Sequence, residues 1–146
     1  MNIRERAEQL HKNVDIFTLS CVDSEGYPMT KVVVPATHRE SLTELFFSTN
    51  TSSKFAAEIS KNSKSSVYFY RKDDIAWEGC FLKGNMEIVT DMNIKEKYWN
   101  EDYKDAYPEQ SFTCPDFCLL KFIPSPSPSP SVGRFYTGLS IEDFNI

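Results

Sequence analysis

The chain has 146 residues and a mass of 16.8 kDa, with a formal net charge of −5, a pI near 5.1, and 40% hydrophobic and 14% aromatic residues. That is the size of one ordinary domain with enough apolar material for a core, and no second domain is expected. The acidic balance gives no general attraction for nucleic-acid phosphates or anionic lipid, so neither nucleic acid nor membrane is an expected partner.

The start, MNIRERAEQLHKN, sets Ile3, Ala7 and Leu10 at helical spacing among Arg4, Glu5, Glu8 and Lys12, which predicts a surface helix with one apolar face. It carries no long apolar run of the secretory kind, and no segment reaches the length of a membrane span, so a cytoplasmic location is expected. VDIFTLSCV, the turn cluster DSEGYP and MTKVVVPA predict a hairpin. LTELFFST predicts a third strand, and SSKFAAEISKNSK a short helix to about Asn62, with Ser52 or Ser53 as its cap.

SSVYFYRK predicts a fourth strand, and AWEGCFLKGNMEIVT a long fifth one whose Gly79 and Gly84 mark bulges or bends. DMNIKEKYWNEDYKDAY has helical composition behind Asp91 as a cap, PDFCLLKFIP is a further strand, and GRFYTGL is the last. Six or seven strands joined mainly as hairpins, with few short helices, predict a mainly β, antiparallel barrel and not a doubly wound parallel sheet. Between the last two strands, PSPSPSPS at 124–131 alternates proline with serine, so no sheet ladder passes through it. An exposed, polyproline-like loop is expected there, either an inert insertion or a ligand for proline-binding modules.

Cys21, Cys80, Cys114 and Cys118 match no disulfide-rich scaffold and no zinc spacing, so reduced, packing cysteines and no metal are expected. Glu78, Glu87 and Asp91 are acid–base candidates by charge alone and are expected to face solvent, and His38 is expected in a loop. Neither histidine, His11 nor His38, sits in a recognisable triad pattern.

The stretch FFSTNTSSKF, 46–55, concentrates six hydroxyl or amide side chains and one lysine between a strand and a helix start. Two readings stay open: Ser52 or Ser53 caps the helix while Lys54 points into water, or the free N–H groups of the first turn join Ser, Thr and Lys54 around an anion. Lys31, on the neighbouring hairpin, is the second lysine that barrel strands can bring to the same phosphate.

The order of a strand, a GYP turn, a strand with a basic residue, a strand ending FFST, SSK opening a helix, and later LKGNMEIVTD and KEKYW resembles the pyridoxamine-phosphate-oxidase-like, FMN-binding split-barrel family, in particular its general stress proteins. The resemblance runs from Val14 through GRFYTGLSIEDF. It implies one split β-barrel domain over 1–146, antiparallel and Greek-key-like, in a homodimer holding FMN at the subunit interface. It implies phosphate-binding positions at Lys31, Thr49, Ser52, Ser53 and Lys54, a flavin ring bordered by the backbone of Lys31, Val32 and Val33 and of Phe47, Ser48 and Thr49, and an aromatic position at Trp99, contributed by the partner or simply part of the core or surface. It also implies an oxidoreductase working between a reduced nicotinamide and a small-molecule acceptor, or else a flavin-binding or flavin-sensing module without turnover. A barrel adapted to a deazaflavin or haem, or an interaction protein acting through its proline-rich loop, are the other readings. Two departures stand out: Lys31 replaces the family's frequent Arg, and the C-terminal region offers Arg134 but no histidine, so classical pyridoxamine-phosphate oxidation is not expected.

Overall fold

A computed structural model describes residues 1–36, 38–74, 76–125 and 132–146. Helix α1 (Ile3–Asn13) starts at a capping box: the Asn2 side chain accepts from the Glu5 N–H and the Glu5 carboxylate accepts from the Asn2 N–H, both at 2.9 Å. Asn2→Ala is expected to cost about 1 kcal/mol and lower the melting temperature by about 3 °C in a calorimetric scan.

Strands β1 (Phe17–Val22) and β2 (Pro28–Val33) form the expected hairpin, in register from Phe17 opposite Val33 to Val22 opposite Pro28. Its turn is made locally. The Asp23 carboxylate accepts from the backbone N–H of Glu25 and Tyr27, and Gly26 takes φ +87°, a region in which a side chain would be strained. Then come β3 (Leu45–Asn50), α2 (Lys54–Lys61), β4 (Lys64–Lys72) and β5 (Trp77–Val89). Helix α3 (Met92–Lys97) is capped by Asp91, and a 3-10 helix (Glu101–Ala106) follows. Strands β6 (Phe117–Pro124), β7 (Gly133–Thr137) and β8 (Ile141–Phe144) close the sequence of elements. The 126–131 part of the serine-proline stretch lies outside the described residues; Pro124 itself ends β6.

All the pairings are antiparallel, in one curled sheet ordered β2-β1-β4-β5-β6-β3, with β7 attached to β5 and β8 to β7. The expected mainly β, split-barrel architecture is the observed one. The last strand of the sequence reading is in fact a hairpin, β7 and β8, whose turn is tied by the Thr137 hydroxyl accepting from the Leu139 and Ser140 N–H groups. Of the two glycines read as bulges or bends, both stay in register with β4, and what they provide is room. A Cβ at Gly79 would meet the Tyr68 hydroxyl at 2.3 Å, and one at Gly84 would meet the Ile123 carbonyl at 2.2 Å. Gly84 stands where β5 exchanges β7 for β6 as its neighbour.

Period-two alternation turns Phe17, Leu19, Phe47, Phe69, Leu82, Leu120 and Phe122 into the barrel, where α1 adds Ala7 and Leu10 and α2 adds Phe55 and Ile59. A second cluster, Phe46, Tyr98, Tyr103, Tyr107, Phe117 and Leu119, packs α3 and the 3-10 helix on the other side of β3 and β6, so Phe117–Leu120 of β6 is buried on both faces. The four cysteines are free and buried. Glu78 corrects the expectation of a solvent-facing carboxylate: its side chain is only 16% exposed and bridges Arg6 (3.3 Å) and Arg71 (2.7 Å).

Candidate functional site

Edge strands β2 and β3 end the sheet order, and the split of the barrel lies between them. At one end they meet through the Pro35–Phe47 bridge, with the Ala36 N–H donating to the Phe46 carbonyl at 3.0 Å. Over the rest of their length each strand turns toward the split an edge that has no ladder partner among the described residues.

One side-chain bond crosses it. Lys31 alternates with exposed Val32 and shares the face of buried Val33, so it points inward, half-buried, and its ammonium donates to the Thr49 hydroxyl at 2.8 Å. It also lies 4.7 Å from the centre of the Phe55 ring. Burial pulls its pKa below the ordinary lysine value, against a smaller opposing effect of Cys118 and Cys21. Among the described residues, no carboxylate forms an ion pair with Lys31.

From Thr49 the chain of contacts continues to Ser53, whose hydroxyl is 3.2 Å away and accepts from the Ala56 N–H as the N-cap of α2. The two hydroxyls share one hydrogen bond, which uses one of their two hydrogens and leaves the other for an incoming acceptor. Lys54, the first residue of α2, is exposed. The cap reading and the anion reading of this stretch are therefore not exclusive: Ser53 caps the helix and still stands beside Lys31 and Thr49.

Ser52 behaves differently. Its N–H and hydroxyl both donate to the Asp116 carboxylate, at 2.9 and 3.0 Å, and the Thr51 hydroxyl (2.7 Å) and Asn50 amide (2.8 Å) donate to it as well. These bonds, led by that from Asn50, hold the Asp116 carboxyl well below the usual carboxylate range. A carboxylate of the chain itself thus occupies the donors of the Asn50–Ser52 turn. The only trace of Asp116 in the sequence is its place just before an apolar strand. Its partnership becomes visible once β3 and β6 pair Asn50 with Phe117 and so bring residue 116 opposite the turn.

Ser48 and Trp99 lie on the other face of β3. Burial pushes the phenols of Tyr103 and Tyr107 up, Tyr107 to about 12, and hydrogen bonding to Ser48 counters it in both. Trp99 stands edge-on to Phe117 at 5.0 Å and to Tyr103 at 5.7 Å, and its indole N–H donates to Glu101 at 3.0 Å. Of the residues singled out from the sequence, the fold thus gathers Lys31, Thr49 and Ser53 into one contact chain, with Lys54 beside it. Phe47 goes to the barrel core, Val32 outward, and Ser48 and Trp99 to the second aromatic cluster.

Comparison with known proteins agrees with this architecture. Superposition on the crystal structure of a protein related to general stress protein 26, of the pyridoxinephosphate oxidase family, from Clostridium acetobutylicum covers 97% of this chain and 93% of that one, with a TM-score of 0.80 and 27% identity. General stress protein 26 from Bacillus anthracis shares the fold over 99% of this chain and 100% of that one, with a TM-score of 0.75 and 21% identity. A heme binding protein from Mycobacterium smegmatis does so over 99% of this chain and 58% of that one, with a TM-score of 0.73 and 14% identity. A sequence comparison with curated proteins finds no match. Residues 5–127 match the family model described as pyridoxamine 5'-phosphate oxidase like, and the chain belongs to that family.

Proposed function

We propose that the chain binds FMN along the split between β2 and β3 and serves as a flavin-dependent oxidoreductase between a reduced nicotinamide and a small acceptor. The observation that carries this reading is Lys31, a half-buried ammonium bonded to a hydroxyl and lacking a carboxylate partner among the described residues. A buried cation of this kind is completed by an anion, and a phosphate monoester also suits the Thr49 and Ser53 hydroxyls and the first N–H groups of α2. The residues present therefore fit the phosphate end of FMN: Lys31, Thr49 and Ser53 hold it, and Lys54 adds an exposed charge. The backbone edges of Lys31–Val33 and Phe47–Thr49 supply donors and acceptors for the polar rim of the flavin ring. FMN supplies the redox chemistry, while the protein binds it, orients it and restricts water around it.

The neighbour named for heme binding does not shift this reading. In this chain His11 is walled in by Phe17 and Phe69 in the barrel core, and the His38 ring is held by Glu40 at 2.6 Å. A homodimer belongs to the same proposal. The outer face of the sheet carries Val32, 66% exposed, and Tyr70, 50% exposed, beside Tyr68, Trp77 and Tyr136, an apolar and aromatic surface suited to a second copy.

Titration of the purified protein with FMN, followed by flavin fluorescence and sedimentation velocity, is expected to show saturable binding of one FMN per chain by a dimer. NADH or NADPH then bleaches the flavin band under anaerobic conditions, and a small acceptor restores it. No saturable FMN binding by folded protein removes the whole proposal. Binding without bleaching removes the oxidoreductase half and leaves a flavin-holding module.

A further inference from the structure

The Asn50–Ser52 turn joins the strand that carries Thr49 to the helix capped by Ser53, so its conformation sets how those two hydroxyls stand relative to Lys31. The turn contains no glycine or proline to fix it. It is fixed from across the sheet. Asp116 accepts four hydrogen bonds from three consecutive residues, the Asn50 amide, the Thr51 hydroxyl, and the Ser52 N–H and hydroxyl. Its own carbonyl accepts from the Thr51 N–H at 2.8 Å, and the Ser53 N–H closes onto the Asn50 carbonyl at 3.0 Å.

A carboxylate is suited to this task because it only accepts: four donors converge on two oxygens, near the full capacity of the group. The arrangement also spends the Thr51 and Ser52 hydroxyls internally, so the donors left for a ligand are Lys31, the Thr49–Ser53 pair and the first turn of α2. We propose that Asp116 is a positioning residue of the phosphate site: by clamping the Asn50–Ser52 turn it holds the Ser53 end of α2 at hydrogen-bond distance from Thr49, and so gathers Lys31, Thr49 and Ser53 around one phosphate monoester. This rests on the FMN reading above and adds to it a residue that does not touch the ligand.

The test is a pair of titrations, FMN and riboflavin, on wild type, Asp116→Asn and Thr51→Val. Asparagine keeps the shape but presents one acceptor oxygen and two hydrogens, so part of the clamp is lost. Thr51→Val removes a single donor and leaves the carboxylate in place. A displacement of this kind loosens orientation, so FMN affinity is expected to fall about tenfold in Asp116→Asn and about threefold in Thr51→Val, with riboflavin affinity unchanged in both. The collapsing preference for FMN over riboflavin is the signature, because a merely structural role lowers both affinities together. Equal losses of FMN and riboflavin affinity, unchanged FMN affinity, or tighter FMN binding in Asp116→Asn, as expected of a carboxylate that merely repels the phosphate, each overturn the proposal. Wild type that binds no FMN overturns the cofactor reading and this inference with it, whereas wild-type binding with an unaltered preference in both variants overturns this inference alone.

Discussion

Replacing Lys31 by Met is expected to weaken FMN binding roughly 30- to 1,000-fold, the 2 to 4 kcal/mol typical of losing one partner of a partly buried charged contact, and to leave riboflavin binding near the wild-type value. The size follows from where the ammonium stands. It is half-buried against Phe55, its partner Thr49 is neutral, and burial already holds its pKa below the ordinary value. The charge is therefore costly in the free protein, and a dianionic phosphate offsets that cost. Met keeps the length and apolar stem of the side chain, so the free variant should hold its stability within about 1 kcal/mol of wild type. The sign of the pH effect follows. Because the folded state depresses the Lys31 pKa, the unfolded state holds the proton more tightly, and Lys31 contributes a gain in stability to the free protein as pH rises through the window between the folded and the ordinary value. Lys31→Met should lack that gain, which a denaturant titration across the alkaline range measures. Parallel losses of FMN and riboflavin affinity would mean that Lys31 supports the fold and not the phosphate.

Much of this arrangement was legible because alternation is a local property. MTKVVV places Lys31 on the inner face with Val33, and LFFST places Thr49 on the inner face with Phe47, from period two alone. The same logic sends Ser48 to the opposite face, so the flavin ring, if it lies along β3, meets the Ser48 backbone and not its hydroxyl. The sequence could not show that Ser52 is spoken for. Asp116 lies 64 residues away, and its approach depends on the antiparallel register of β3 with β6, a long-range pairing that no local pattern encodes. Glu78 was misread for a related reason. Strand alternation puts it on the inner face with Cys80 and Leu82, at the end of the barrel where α1 brings Arg6 and β4 brings Arg71 to its carboxylate, so it is part of an ion-pair bridge. The extra hairpin of β7 and β8 was missed because its turn, Thr137–Ser140, draws its order from the Thr137 hydroxyl and has only one glycine. The glycines of β5 were noticed but given the wrong task, since close approach by Tyr68 and by the Ile123 carbonyl is a property of packing and not of the strand that bears them.

His11 should make the fold acid-sensitive by about 3 kcal/mol, the free energy of holding one histidine some two and a half units below its ordinary pKa. On α1 it follows Ala7 by four residues and Leu10 by one, on the apolar face of the helix. In the fold it is 2% exposed, edge-on to Phe17 at 5.7 Å, and its Nδ1 has no hydrogen-bond partner among the described residues. Burial, then the nearby positive charges of Arg39 and Lys12, push its pKa down to about 4. Above pH 6.5 both states hold a neutral imidazole, and His11 adds no pH dependence. Between that value and about 4, the unfolded chain takes up a proton that the folded chain refuses, so stability falls as pH falls; below about 4 both states are protonated and the slope ends. His11→Leu replaces the ring with an apolar side chain and removes an unsatisfied buried nitrogen, so at pH 7 it should match or exceed wild type. The carboxylates are the same in both proteins, which is why the difference between the two urea-unfolding curves, measured from pH 7 to pH 4, isolates the histidine. The two proteins should diverge steadily below pH 6.5, with wild type losing about 3 kcal/mol more than the variant by pH 4. Curves that stay parallel would show that His11 takes up its proton within the fold at its ordinary pKa, so that its burial carries no cost to the charged form.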